Sequence, residues 1–279
     1  MASKYRTRSI SLPSRSHPNT LRIEGELNKL KTLDASSSGS VCIGLSGLED
    51  LYNGFNDLLN MSTAQEVLTH SRNEKCLDEL LDGSVKLLDI CGITRDVMLQ
   101  FKEQVQSLQS ALRRRKGDSS IETSISGYTC FRKKMKKDAK TFVANLKQMD
   151  SKLEASKFQY QEDLYLIQLF KQVILINSFI FQSLLSFLAS SKPKQSRWSV
   201  ASKLMHKRAI ACEEKQEIVN ELESVDSALA EKTNSEKMQI AKRRLEALEM
   251  GIQDIEICLE RVFRHLVKTR ASILNIISQ

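Results

Sequence analysis

Apolar residues recur along this chain at alternating steps of three and four, and the pattern is strongest at its end. Met238, Ala241, Leu245, Leu248, Ile252, Ile255, Leu259, Val262, Leu266, Thr269, Ile273 and Ile276 keep those steps without a break. Only Thr269 is polar, so the spacing predicts one long helix carrying a coiled-coil seam. Just before it, Ile218, Leu222, Val225 and Leu229 form a shorter seam on a helix expected near Lys207 to Lys232, and Thr233-Asn234-Ser235 reads as the turn. A three-residue connection between two amphipathic helices is most economically an antiparallel hairpin. The partner of the long seam can be internal or a second copy, because both bury the same face; self-association through the C-terminal helix therefore stays open.

The same periodicity, weaker and more often interrupted, runs through the first two thirds. Asn19 or Thr20 is expected to cap a first helix through Leu33, Ala35 to Ser40 reads as a small-residue linker, and a second helix runs near Ile43 to Asn60. A short helix follows with Ser62 as N-cap, and a third begins after Asn73. Asp82-Gly83 is expected only to dent it, whereas Cys91-Gly92 followed by Thr94 reads as a C-cap and a fresh N-cap. From Thr94, Met98, Phe101, Val105, Leu108 and Leu112 continue to a basic cluster that suits a helix C-terminus, with Gly117 as the stop. A linker is expected over Asp118 to Gly127, and then a basic helix with Phe142, Leu146, Met149 and Leu153. Leu164 to Ala189 is the most hydrophobic stretch, and its residues from Gln172 onward carry no charge. It reaches the length of a membrane span. Six polar residues, Gln172, Asn177, Ser178, Gln182, Ser183 and Ser186, interrupt it, and its amphipathic neighbours need an apolar partner, so a buried central helix is the preferred reading. Lys192-Pro193 ends it, before a basic loop through Trp198.

Composition narrows the fold further. Average usage would place roughly 33 Gly and Pro in a chain of this length, against 10 Gly and 3 Pro among the 279 residues here. Sandwiches, barrels and doubly wound α/β folds need more turns than that. The net charge of +8 is concentrated in one region. Between Arg113 and Lys147 stand Arg113, Arg114, Arg115, Lys116, Arg132, Lys133, Lys134, Lys136, Lys137, Lys140 and Lys147, against the acids Asp118, Glu122 and Asp138. Arg113 to Lys116 with Arg132, Lys133, Lys134, Lys136, Lys137 and Lys140 form a candidate basic surface for an acidic partner or anionic lipid. The competing reading is a set of solvated helix faces. Nucleic acid is not an expected partner, since neither a recognised module nor an aromatic stacking platform accompanies the charge.

Reaction chemistry has no foothold in the pattern. There is no Gly-rich phosphate loop, nucleophile elbow or His-Glu-x-x-His, and His17, His70, His206 and His265 are isolated. The cysteines Cys42, Cys76, Cys91, Cys130, Cys212 and Cys258 lack metal-ligand spacing and suit a reducing compartment. No enzymatic activity, cofactor or metal is expected. One short motif does carry a mechanism: Arg8-Ser9-Ile10-Ser11-Leu12-Pro13 places Ser11 three residues after Arg8, with Pro13 turning the chain away. Phosphorylated Ser11 would suit the Arg-lined groove of a 14-3-3 protein. A plain Ser/Arg-rich tail, or a transit peptide, would look similar.

Several blocks together resemble a known family. Ser11-Leu12-Pro13-Ser14-Arg15-Ser16-His17-Pro18, the run Leu77-Asp78-Glu79-Leu80-Leu81-Asp82-Gly83-Ser84-Val85-Lys86-Leu87-Leu88-Asp89-Ile90-Cys91, and Leu112-Arg113-Arg114-Arg115-Lys116-Gly117-Asp118 are similar to the plant-specific helical family catalogued as domain of unknown function two-four-one and often labelled BYPASS-like. The resemblance extends through Ser183-Leu184-Leu185-Ser186-Phe187-Leu188 and the C-terminal seam. It implies an all-helical plant protein whose relatives are linked to root and shoot development, with no catalytic residues to carry over.

The resulting expectation is an all-α, elongated bundle: a disordered tail over 1–19, a helical bundle over 20–195, and a basic loop with a coiled-coil hairpin over 196–279. Its expected role is that of a non-enzymatic interaction or scaffold protein of the cytoplasm with unidentified protein partners. Peripheral association with anionic lipid is the alternative, and plastid, nucleus and membrane periphery are the alternative locations.

Overall fold

A computed structural model describes residues 17–33, 37–69, 74–114, 118–155, 165–189, 220–230 and 235–278. Eight helices and no strands occur among these residues: α1 (Pro18–Lys31), α2 (Ser38–Leu59), α3 (Ser62–Thr69), α4 (Glu74–Arg114), α5 (Asp118–Ala155), α6 (Tyr165–Leu188), α7 (Glu221–Ala230) and α8 (Ser235–Ile277). At 1.5 Å per residue, α4, α5 and α8 are each roughly 60 Å long. The all-α, elongated architecture follows from those three.

Helix α8 is the spine. Ala241, Leu245, Leu248, Ile252, Ile255, Leu259, Val262, Leu266, Thr269, Ile273 and Ile276 are all buried. They pack chiefly against α4 and α2, with α7 on the same helix. Contacts of α2 with α8 advance together along both helices: Ser46 faces Cys258, Glu49 faces Arg261, and Asn56 accepts from the Thr269 hydroxyl at 2.8 Å. The two therefore run parallel. Those of α4 advance in opposite senses, with Arg95 on Glu260, Lys102 on Glu256 and Gln106 on Glu249, so α4 is antiparallel to the spine. The internal helices thus occupy the seam whose partner the spacing left open. One continuous core joins α1 through α8.

Helix α6 fills the other side of the bundle, against α5, α4, α2 and α1. It is long and apolar enough to cross a membrane, yet Gln172 is its one exposed residue. Its buried polar groups meet partners inside the bundle. Asn177 donates to the Tyr52 hydroxyl, and Gln182 donates to Asp150 Oδ2 at 2.7 Å and to Ser178 Oγ at 3.1 Å.

Three local expectations give way. The first cap is His17, whose Nδ1 accepts from the Asn19 amide at 3.2 Å with Pro18 in the first turn, so the helix begins inside the stretch assigned to the tail. Neither Asn19 nor Thr20 caps it, and Thr20 is buried. The expected break at Cys91-Gly92 is uninterrupted α4: the Thr94 hydroxyl donates back to the Ile90 carbonyl at 2.6 Å and caps nothing. The expected linker over Asp118 to Gly127 is the first part of α5, where Ile121 is buried and Ser124 donates back to the Ser120 carbonyl at 3.1 Å. In both places burial of apolar neighbours outweighs a modest loss of helix propensity. The part of the hairpin's first helix before Asn220, and the turn at Thr233-Asn234, lie outside the described residues; α7 itself buries Leu222 and Val225.

Candidate interaction surface

Helix α5 has two unlike faces. Tyr128, Arg132, Met135, Ala139, Leu146, Met149 and Leu153 are buried, and with half-buried Phe142 they keep steps of four and three, forming a seam against α4 and α6. Lys133, Lys137, Lys140 and Lys147 recur at steps of four, three and seven on the side of the helix opposite that seam, and all four are exposed, as is Lys134 beside them. From Lys133 to Lys147 this cationic face extends about 21 Å. Asp138 is half-buried and lies off that stripe. Among the described residues none of these five lysines is paired with a carboxylate.

The remaining basic residues divide. Arg113 and Arg114 are exposed at the end of α4, Arg113 lying 3.8 Å from Glu246. Arg115 and Lys116 lie outside the described residues, as do Arg8, Ser9, Ser11 and Pro13. Arg132 leaves the candidate surface altogether: it is 2% exposed. Its Nε and Nη2 donate to Asp226 Oδ1 and Oδ2 at 3.2 and 3.1 Å, and its Nη1 donates to the Leu188 carbonyl at 2.9 Å. The guanidinium also lies over the Phe101 ring, 5.6 Å from its centre. Lys136, half-buried, joins it at 2.9 Å from Asp226 Oδ2, and the Tyr128 hydroxyl donates to Oδ1 at 3.3 Å.

That knot is architectural. The last carbonyls of a helix lack intrahelical donors, and here Arg132 serves Leu188 while the Asn220 side chain serves Phe187 at 3.1 Å. One arginine thereby ties α5 to the C-terminus of α6 and to α7. Burial pushes the Asp226 carboxyl up, but the hydrogen bonds and charges of Arg132 and Lys136 outweigh it and hold the group below the usual carboxylate range. Basic composition alone did not separate Arg132 from Lys133. The seam register would have, because Arg132 continues the steps Tyr128, Arg132, Met135, Ala139.

Other polar clusters in the core also serve packing. His265 stacks on Tyr52 with ring centres 6.3 Å apart, and burial holds its imidazole below the usual range. Burial likewise pushes the Cys91 thiol up to about 12. Among the described residues no group of three His, Cys, Asp or Glu side chains is arranged to hold a metal ion.

A long-helix bundle with a buried arginine knot and a cationic helix face is an all-α protein. The family model described as Protein BPS1 matches residues 44–276, and the chain belongs to that plant family, as the BYPASS-like resemblance implied. Membership points to a plant developmental protein. No curated protein and no solved structure matches the chain.

Proposed function

We propose that this chain is a non-enzymatic interaction protein of the plant cytoplasm, acting in root and shoot development, that docks an acidic protein partner on the lysine face of α5. The observation that supports this is the set of five exposed, unpaired lysines on the side of α5 away from the core. Unpaired charges on one face bias encounter and select partners of opposite sign. The tail is proposed as a regulatory arm, with phosphorylated Ser11 engaging a 14-3-3 protein. The C-terminal seam is spent inside the chain, so self-association would have to use other faces of α8.

A second reading, peripheral binding to anionic lipid, draws on the same lysines lying along one long helix, where several can meet a plane together. Each would contribute on the order of 1 kcal/mol near an anionic bilayer. The discriminating experiment pairs affinity capture from plant tissue with vesicle flotation. Wild type, the charge reversal Lys133→Glu/Lys137→Glu/Lys140→Glu, and Ser11→Ala are compared. Partner loss on charge reversal, without flotation on phosphatidylserine vesicles, supports the protein reading. Flotation at low salt that disappears at high salt supports the lipid reading, and indifference of both assays to charge reversal sinks the lysine face as a docking site. Loss of 14-3-3 from the Ser11→Ala capture alone supports the regulatory arm.

A further inference from the structure

We propose that Cys42 and Cys258 are a redox site, closing under peroxide to a disulfide that locks α2 to the spine α8. The contacts along the shared edge of α2 and α8 carry the idea. Ser46 Oγ lies 3.9 Å from Cys258 Sγ, Cys42 stands one turn before Ser46 on the same face of α2, and its thiol is near enough to that of Cys258 for the two to interact. Both sulfurs are free and half-buried at the edge of the core, within reach of a small oxidant. The other described cysteines are placed differently. Cys91 is fully buried with its thiol toward the Leu259 carbonyl at 3.9 Å, and Cys130 is exposed on α5.

Burial pushes the Cys42 thiol up to about 12, and Cys258, Asp254 and Glu221 add to that, so its thiolate is scarce at neutral pH and oxidation of the pair is slow. One of the two sulfurs attacks one oxygen of hydrogen peroxide; the O–O bond breaks, a sulfenic acid forms and the first water leaves. The other sulfur then displaces that hydroxyl: the S–S bond forms, the S–O bond breaks, and the second thiol's proton leaves with the hydroxyl as the second water. Two thiols are oxidised to one disulfide while one peroxide is reduced to two waters. The bond would close a loop from Cys42 to Cys258 and restrict the unfolded chain more than the folded one.

The test uses the full chain, purified reduced, exposed to a slight excess of hydrogen peroxide, then alkylated and digested. The expected result is a peptide pair joining Cys42 to Cys258, abolished by dithiothreitol, together with a rise in melting temperature of about 5 °C or more. In Cys42→Ser and in Cys258→Ser the joined peptides and the rise are lost, and in at least one of them the remaining cysteine is trapped by dimedone as a sulfenic acid; alanine replaces serine should serine unfold the protein. Alkylation of both Cys42 and Cys258 after peroxide would overturn the proposal, and so would pairing of either one with a different cysteine or a melting temperature lowered by oxidation.

Discussion

Helices α5 and α8 carry the same heptad rhythm at nearly the same length and are used in opposite ways. The spine α8 is gripped on both flanks: Arg95 and Lys102 of α4 hold Glu260 and Glu256, and Glu49 of α2 meets Arg261 at 3.6 Å. Its charges are largely spent on its neighbours. Helix α5 packs on α4 and α6 through one face and leaves Lys133, Lys134, Lys137, Lys140 and Lys147 to solvent. A heptad therefore says which side of a helix is buried, but the pairing of the flanking charges decides whether the rest is architecture or available surface.

The largest expected effect tests that division on two adjacent residues. Arg132→Ala removes two of the four side-chain hydrogen bonds to Asp226, leaving those of Lys136 and Tyr128, and the side-chain donor to the Leu188 carbonyl, and breaking such a buried pair costs about 3 kcal/mol. Lys133→Ala, one position along, is expected to change stability by less than about 0.5 kcal/mol. Urea unfolding of both variants measures the contrast. Similar losses in the two would mean that the knot is not the joint between α5, α6 and α7.

On the spine the sensitive point is a glycine. A Cβ on Gly251 would lie 2.8 Å from Ser38 Oγ and 3.0 Å from Ser38 Cβ. Ser38 has no room to turn aside, since its amide and hydroxyl are held by the Glu221 carboxylate, the hydroxyl at 2.8 Å. Gly251→Ala is therefore expected to destabilise by about 1 to 3 kcal/mol through overpacking, although alanine is intrinsically the better helix former. Thermal denaturation checks it; a stabilised Gly251→Ala would show that α2 does not press on α8 there.

A pH effect separates the two carboxyls that the α5 region buries. Burial pushes Asp150 up to about 6, against hydrogen bonds from Ser178 and Gln182. A raised carboxyl means that the folded chain binds a proton the unfolded chain has released, so its contribution falls as pH rises from about 4 to about 6 and is flat above. Asp226 has the opposite sign: its contribution is present above the unfolded value and is lost as pH falls through its lowered folded value. Asp150→Asn is expected to raise stability at pH 7 relative to wild type and to remove the decline between pH 4 and 6, measured as urea midpoints across that range. A wild-type curve that rises throughout that window, with Asp150→Asn unchanged, would contradict the assignment.

What the chain discloses before folding follows the same contrast. The seam of α8 is legible residue by residue because nothing competes with it. The hydrophobic α6 is legible too, though its polar residues make sense only beside Tyr52 and Asp150. The candidate surface was half legible: its lysines stand out, but Arg132 is recognisable as core only once the register of Tyr128 and Met135 is followed through it. Serine at 119, 120 and 124 imitates a linker, since the same side chains that favour turns can bond back along a helix. His17 was missed because histidine rarely caps, and the arginine's acceptor on α6 is a backbone carbonyl that no side-chain pattern reveals.

The smallest expected effect concerns the break that did not form. Gly92 lies inside α4, and a Cβ there would meet nothing within 4 Å. Cys91 before it and Thr94 two residues after it are buried, so packing keeps the helix intact across a residue that by itself favours disorder. Gly92→Ala should then stabilise the protein by about 0.5 to 1 kcal/mol, because alanine loses less backbone freedom on folding. This is the opposite sign to Gly251→Ala, for the same substitution inside two long helices of one bundle. A destabilised Gly92→Ala, read from the shift of the urea midpoint, would mean that the chain does bend at Cys91-Gly92.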